Sequence, residues 1–208
     1  EGSDYLKIVY DGGSLNRRFN SLDLPTVGAL IDAAHAREML AVVHVSRQQD
    51  ALDMVGLGAD GIVHVFYDEH PDAATGAAFR DAGAFVIPTL AVIESVSGGD
   101  AGSTLLQDER LGPYVMPASR GGLAAGFGDV PGYSDALDHA LAAVAVMHEA
   151  GVGILAGTDA PNPGTGHGIS LHRELELLVE AGLEPHEALA SATSVPAALF
   201  GLADRGRV

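Results

Sequence analysis

Val152-Gly153-Ile154-Leu155-Ala156 runs into the polar stretch Gly157-Thr158-Asp159-Ala160-Pro161-Asn162-Pro163-Gly164, and a helical pattern begins near Gly168. An apolar run this short, bounded by glycine, reads as a strand buried on both faces. Asp159 ends it, and parallel α/β folds place their chemistry at the C-terminal ends of strands. Taken alone, Asp159 reads equally well as a turn or helix-capping residue. Its weight comes from the segments upstream.

Those segments repeat the pattern. Strands are expected at residues 5–10, 40–45, 61–65 and 84–90, separated by helical stretches. A helix begins near Pro25 with Val27, Leu30, Ile31 and Ala34 at helical spacing, another covers 50–57, and a third covers 72–82. Residues 97–133 break the rhythm; they are rich in Gly and Pro and read as a lid or mobile insertion. A helix carrying Leu137, Leu141 and Val144 then leads to the strand at 152–156. Two helices close the chain. One has Leu171, Leu175, Leu178 and Val179 on one face; the other starts near Pro185 and stops at Gly201.

Strands alternating with helices imply an α/β fold with a parallel sheet and right-handed crossovers. Five strand–helix units suffice for an open doubly wound sheet, but no Gly-x-Gly-x-x-Gly follows the first strand. A (β/α)₈ barrel needs about eight strands to close. The chain is therefore an open sheet or part of a barrel.

With 208 residues, 47% of them hydrophobic and 19% charged, the chain can bury one globular core. The net charge of −17 argues against nucleic acid and against an anionic membrane surface as partners. A small-molecule substrate is the expected partner. Cysteine is absent, which excludes disulfides, a thiolate nucleophile and a thiolate metal site. No apolar run approaches the ~20 residues that span a bilayer. The chain starts Glu1-Gly2-Ser3 without an initiator methionine, so the lack of a visible leader carries little weight. The compartment stays open, with the cytoplasm favoured.

Lys7, His44 and His64 each interrupt an otherwise aliphatic strand, and Asp159 ends another. Burying a lone ammonium or imidazolium costs several kcal/mol unless it is paired or neutralised. A single strand histidine is more often a hydrogen-bonded core residue. Three such residues on successive units, with a carboxylate, are better explained together by convergence on a divalent metal, because neutral imidazole and carboxylate suit Zn²⁺ and its neighbours. Lys7 has no lone pair to offer as an ammonium. A buried lysine can react with CO₂ to give a carbamate, an anionic oxygen ligand; the plainer reading pairs Lys7 with Asp11 or Asp159.

In this arrangement the sequence resembles the amidohydrolase superfamily. The resemblance rests on Lys7 in Leu6-Lys7-Ile8-Val9, His44 in Val42-Val43-His44-Val45, His64 in Gly61-Ile62-Val63-His64 and Asp159 in Gly157-Thr158-Asp159-Ala160. His167-Gly168, Arg173-Glu174-Leu175-Glu176-Leu177, Glu187-Ala188-Leu189, Ala192-Thr193 and the ending from Gly201 to Val208 look like its imidazolonepropionase-like and prolidase-like branch. It implies a partial (β/α)₈ barrel, strands four to eight with their helices, filling residues 1–208. The family's His-x-His pair, its first three strands and its β-sandwich have no counterpart here.

The resemblance further implies a divalent metal, zinc foremost, as one ion or two. Lys7 as N6-carboxylysine, His44, His64 and Asp159 would be the ligands, with Asp159 also the proton shuttle. Tyr10 and His167 are expected to face the substrate, while His139 and His172 are weaker candidates. The implied reaction is hydrolysis of a C–N bond in an amide, carbamate, urea or small peptide. The alternatives are an ester or lactone hydrolase on the same site, or a non-catalytic barrel fragment. A five-strand arc leaves two sheet edges and an apolar inner face, so an oligomer or a complementing chain is expected to cover them.

Overall fold

Four parallel strands lie side by side in chain order: β1 (Tyr5–Val9), β2 (Leu40–His44), β3 (Gly61–Val63) and β4 (Phe85–Ile87). The computed structural model describes residues 2–13, 19–128 and 130–207. The register sets Lys7 against Val42, Val9 against His44, and His44 against Val63. Helical crossovers carry the chain between neighbours through α1 (Leu24–His35), α2 (Gln48–Gly56) and α3 (Ala73–Ala82). The caps are legible in the sequence. Asp23 accepts from the Thr26 N–H at 2.9 Å with Pro25 in the first turn, and Asp72 accepts from the Thr75 N–H at 3.0 Å.

The expected fifth strand is much shorter than residues 152–156. It survives as one parallel bridge between Val86 and Ile154, where Val86 N–H donates to Gly153 and Leu155 N–H donates to Val86, both at 2.9 Å. Its next amide, Ala156, turns to the Ser191 carbonyl instead, so the ladder stops. The fourth strand also ends before residue 90. Pro88 has no N–H to give the ladder, and Thr89 takes a left-handed conformation that starts α4 (Leu90–Val96), a helix the strand expectation missed.

Residues 97–133 are not a plain loop. They fold as α5 (Ala101–Gln107), a 3₁₀ turn (Gly112–Tyr114) and α6 (Pro117–Ala125), with Leu105, Leu123 and Ile169 in a small core of their own. Then follow α7 (Ala136–Ala150), α8 (Ile169–Glu180), α9 (Pro185–Ser191) and α10 (Ser194–Leu199). Among the described residues no helix is long and apolar enough to cross a membrane.

Pleat alternation divides the sheet. Ile8, Ala41, Val43, Ile62 and Val86 face the helices and join Val27, Ile31, Met54, Phe79, Val144 and Met147 in the main core. The opposite face carries Val42, Val63, Phe85 and Leu155, closed by Val195, Leu199 and Phe200. Phe200 sits 6.0 Å from Tyr5 and 6.2 Å from Phe85 between ring centroids, so α10 plugs the strand starts. The strand ends remain open, and the polar residues gather there.

The buried stripe of α8 differs from the expected one. Ile169, Ser170, Glu174, Leu177 and Leu178 are buried, whereas Val179 is 39% exposed. The stripe is rotated because a carboxylate, Glu174, belongs to it.

Candidate functional site

His44 is the last residue of β2, and His64 follows the last residue of β3. Their rings meet edge to face at 4.8 Å between centroids. Each imidazole has its own carboxylate. His44 Nε2 lies 3.6 Å from Asp11 Oδ2, and His64 Nε2 lies 3.7 Å from Asp159 Oδ2. Both separations exceed a hydrogen bond, so neither carboxylate is spent on its histidine. Together with Ser46 and Asn162 these four groups line a cavity of about 240 Å³, whose apolar wall is Val92, Ile93, Val96 and Phe127.

Burial decides the charge state of the histidines. His64, 8% exposed, has its pKa pushed down to about 3 by burial, with His44 and Lys7 adding repulsion. Burial also lowers His44, and Asp11 only partly opposes it. Both rings are therefore neutral at pH 7, with a lone pair available on each.

The carboxylates are held from behind. Asp11 accepts from Ser46 Oγ at 3.2 Å and from the Gly13 N–H at 2.8 Å. Asn162 Nδ2 donates to Asp159 Oδ2 and to the Asp159 carbonyl, both at 2.7 Å. His64 Nδ1 is hydrogen-bonded to Thr89 Oγ1. Among the described residues only Glu38, Thr89 and Asp159 have positive φ without being glycine, and two of these three are at the site. Such conformations cost of order 1–3 kcal/mol each and persist where surrounding structure enforces them.

The structure thus brings together His44, His64 and Asp159 of the sequence-based candidates, keeps Lys7 near enough for its charge to act on both histidines, and places Tyr10, His167, His139 and His172 outside the cavity. Lys7 is exposed on the inner face of β1 and lines a cavity with Phe19 and Leu22; the expectation of a buried ammonium does not hold. Tyr10 is half-buried against the helical core, and burial together with Asp50 and Asp53 raises its pKa. His167 lines a separate cavity of about 390 Å³ with Tyr114, Met116 and His172. His139 meets His70 edge to face at 4.5 Å between centroids and contacts the Tyr67 carbonyl.

Sequence reasoning missed Asp11, Ser46, Thr89 and Asn162 as parts of the site. Asp11 carried a signal: it continues the alternation Lys7, Val9, Asp11 just beyond the strand end. Thr89 and Asn162 carried none, since their roles depend on turns that bring distant segments together.

Among the described residues no group of three or more His, Cys, Asp and Glu is gathered closely enough to hold a metal ion. The donor types are ones a divalent metal takes: two neutral imidazoles in ring contact, with one carboxylate beside each. The residue types therefore suit such an ion, while the described side chains do not converge on one point.

The sequence model of the Amidohydrolase family matches residues 22–208. The chain belongs to this family. Solved structures agree on the fold. One described as an amidohydrolase is 23% identical with a TM-score of 0.70, and covers 99% of this chain and 45% of its own. A Xaa-Pro dipeptidase with bound methionine in its active site is 23% identical with a TM-score of 0.70, at 99% and 46% coverage. A prolidase complexed with N-methylphosphonate-L-proline is 20% identical with a TM-score of 0.66, at 97% and 44% coverage. No curated protein matches the chain in sequence. This family member spans a little under half the length of the solved structures it resembles, and its sheet and helices form part of a (β/α)₈ barrel.

Proposed function

We propose that this site serves metal-dependent hydrolysis of a C–N bond, in an amide, carbamate, urea or small peptide. The observation that supports it most is the neutral His44–His64 pair with the Asp159 carboxylate 3.7 Å from His64. His44, His64 and Asp159 would hold a divalent metal such as zinc, with a carbamate on Lys7 as a further oxygen ligand. When bound, the metal supplies Lewis acidity, polarising the scissile carbonyl and making water acidic enough to ionise near pH 7.

Asp159 is the general base and then the general acid in this reading. Its Oδ2 takes the proton of the attacking water and returns it to the leaving nitrogen. Asn162 keeps that oxygen turned toward the cavity. Val92, Ile93, Val96 and Phe127 form the apolar wall of the same space, and a less polar surrounding strengthens charge interactions beside it. Residues 97–133 act as the lid.

The dipeptidase and prolidase among the similar structures make an Xaa-Pro dipeptide the first substrate to try. The test is zinc content per chain by elemental analysis, followed by hydrolysis of a panel of dipeptides and N-acyl amino acids. Near-stoichiometric zinc with measurable turnover supports the proposal. Zinc without turnover on C–N substrates but with turnover on esters or lactones would replace it by the ester reading.

A second reading has its own observation. β1 is an edge strand, and its inner face leaves Tyr5 42% and Val9 57% exposed. A strand edge of this kind is a template for pairing with further chain. On this reading the segment contributes half a site, completed by another copy or by a longer polypeptide. Light scattering on the purified chain decides: a monomer stable to high concentration argues against pairing between copies.

A further inference from the structure

Glu174 is fully buried, at 0% exposure, and no ion pair reaches it among the described residues. Its Oε1 accepts from the Leu90 N–H at 3.1 Å, and its Oε2 accepts from the Ala91 N–H at 2.8 Å. These are amides of the first turn of α4, which have no partner within their own helix. The residue just before them is Thr89, held at φ 57, an outlier for a β-branched side chain. The Thr89 hydroxyl is the group bonded to His64 Nδ1. A continuous set of contacts therefore runs from α8 through the start of α4 to the imidazole in the cavity.

The preceding residue of α8 grips the same helix further along. Arg173 Nη2 lies 2.7 Å from Glu94 Oε1, and its Nε lies 3.0 Å from Glu94 Oε2. Consecutive residues thus fasten α4 at its first turn and at its middle. Neither Arg173 nor Glu174 lines the cavity that holds His44 and His64. A helix cap alone does not require a buried carboxylate to reach across from another helix; the left-handed Thr89 does require something to hold the turn that follows it.

We propose that Glu174 is a positioning residue for His64. By fixing the first turn of α4 it holds Thr89 in the conformation whose hydroxyl orients the imidazole, so that Nε2 stays turned to Asp159 and the cavity. The importance of this for turnover rests on the hydrolase reading above; the orientation of the ring does not.

The test is long-range ¹⁵N–¹H NMR on histidine-labelled chain, which reports the tautomer of each ring, paired with zinc affinity by calorimetry. Wild type should show His64 in one tautomer. In Glu174→Leu, which removes both acceptors facing the Leu90 and Ala91 N–H groups, and in Thr89→Val, His64 should become a tautomer mixture. Zinc affinity should then fall roughly 10- to 100-fold, the usual effect of losing an outer-shell partner. Thr89→Ser should keep the wild-type pattern. Glu174→Asp, which draws the acceptors back by one methylene, carries the same measurement if Glu174→Leu does not fold. An unchanged His64 tautomer and zinc affinity in a folded Glu174 variant would overturn the proposal, leaving Glu174 as a buried cap. Failure of wild type to bind zinc would defeat the metal reading alone, since the tautomer result stands without it.

Discussion

His44 and His64 meet edge to face, their ring centroids 4.8 Å apart and their planes at 87°. They come from the ends of adjacent parallel strands, and each faces a carboxylate from a different loop, Asp11 or Asp159. Two charged imidazoles at this separation would repel each other. Burial removes that conflict by keeping both neutral, and this same neutrality makes them ligands.

If the pair is the heart of a metal site, zinc binding should depend on both rings at once. His44→Ala and His64→Ala should each weaken zinc by more than the roughly 10- to 100-fold typical of an outer-shell loss, and the double variant should carry none. Elemental analysis after dialysis checks this. Stoichiometric zinc in the double variant would place the metal elsewhere.

Asp159→Asn separates the proton shuttle from the fold. The amide keeps the size of the side chain but cannot take a proton from water. Turnover should fall by about 10²–10⁴, the usual contribution of general acid–base catalysis, with the melting temperature close to wild type. Unchanged kcat would rule out the shuttle role.

Glu174 gives the chain a pH dependence of known sign. Burial raises its pKa to about 8, Glu94 adding to the rise and the backbone donors opposing it. The folded state therefore holds a proton that the unfolded state releases near 4.5. Between these values the unfolded chain binds fewer protons, so stability is full below about 4.5 and is lost as pH rises toward 8. The limiting slope for one proton is about 1.4 kcal/mol per pH unit. His64 and His44, whose pKa values burial lowers from 6.5, push stability the opposite way below about 6.5, so urea midpoints should decline in wild type from about pH 7 to 8, and the decline should flatten in Glu174→Gln. Parallel profiles would assign the pH dependence to other groups.

Much of this was legible from periodicity and much was not, for physical reasons. β1 to β4, α1, α3 and α7 announce themselves because short aliphatic runs and acidic caps are local signals. His44, His64 and Asp159 stand out because polar groups at strand ends are conspicuous against aliphatic neighbours. The fifth strand was overestimated because its apolar run says nothing of a partner, and the structure gives it only Val86. α4 was hidden because Leu90-Ala91-Val92-Ile93 is as apolar as a strand. What makes it a helix is the left-handed Thr89 and a carboxylate 84 residues away. Lys7 was expected to be buried because its neighbours are aliphatic, but burial on an edge strand is decided by whatever lies across the face.

Gly61 offers a test of how tightly the inner face is filled. A Cβ placed there would meet Phe85 Cζ at 2.2 Å, Cε2 at 2.3 Å and Cε1 at 2.7 Å, so the ring covers the glycine. Phe85 cannot easily swing away, since it packs with Val42, Val63 and Leu155 and touches Phe200. Two effects oppose each other in Gly61→Ala. Reduced freedom of the unfolded chain would stabilise by about 0.4–1 kcal/mol, while overpacking costs typically 1–3 kcal/mol. Overpacking should win, giving a lower urea midpoint with an unchanged m-value. Phe85→Leu opens the space above residue 61, so the double variant Gly61→Ala, Phe85→Leu should be more stable than the sum of its parts by about 0.5–3 kcal/mol, the range for residues in contact. Strict additivity in that cycle would mean that the ring has room to move and that the strand starts are loosely packed.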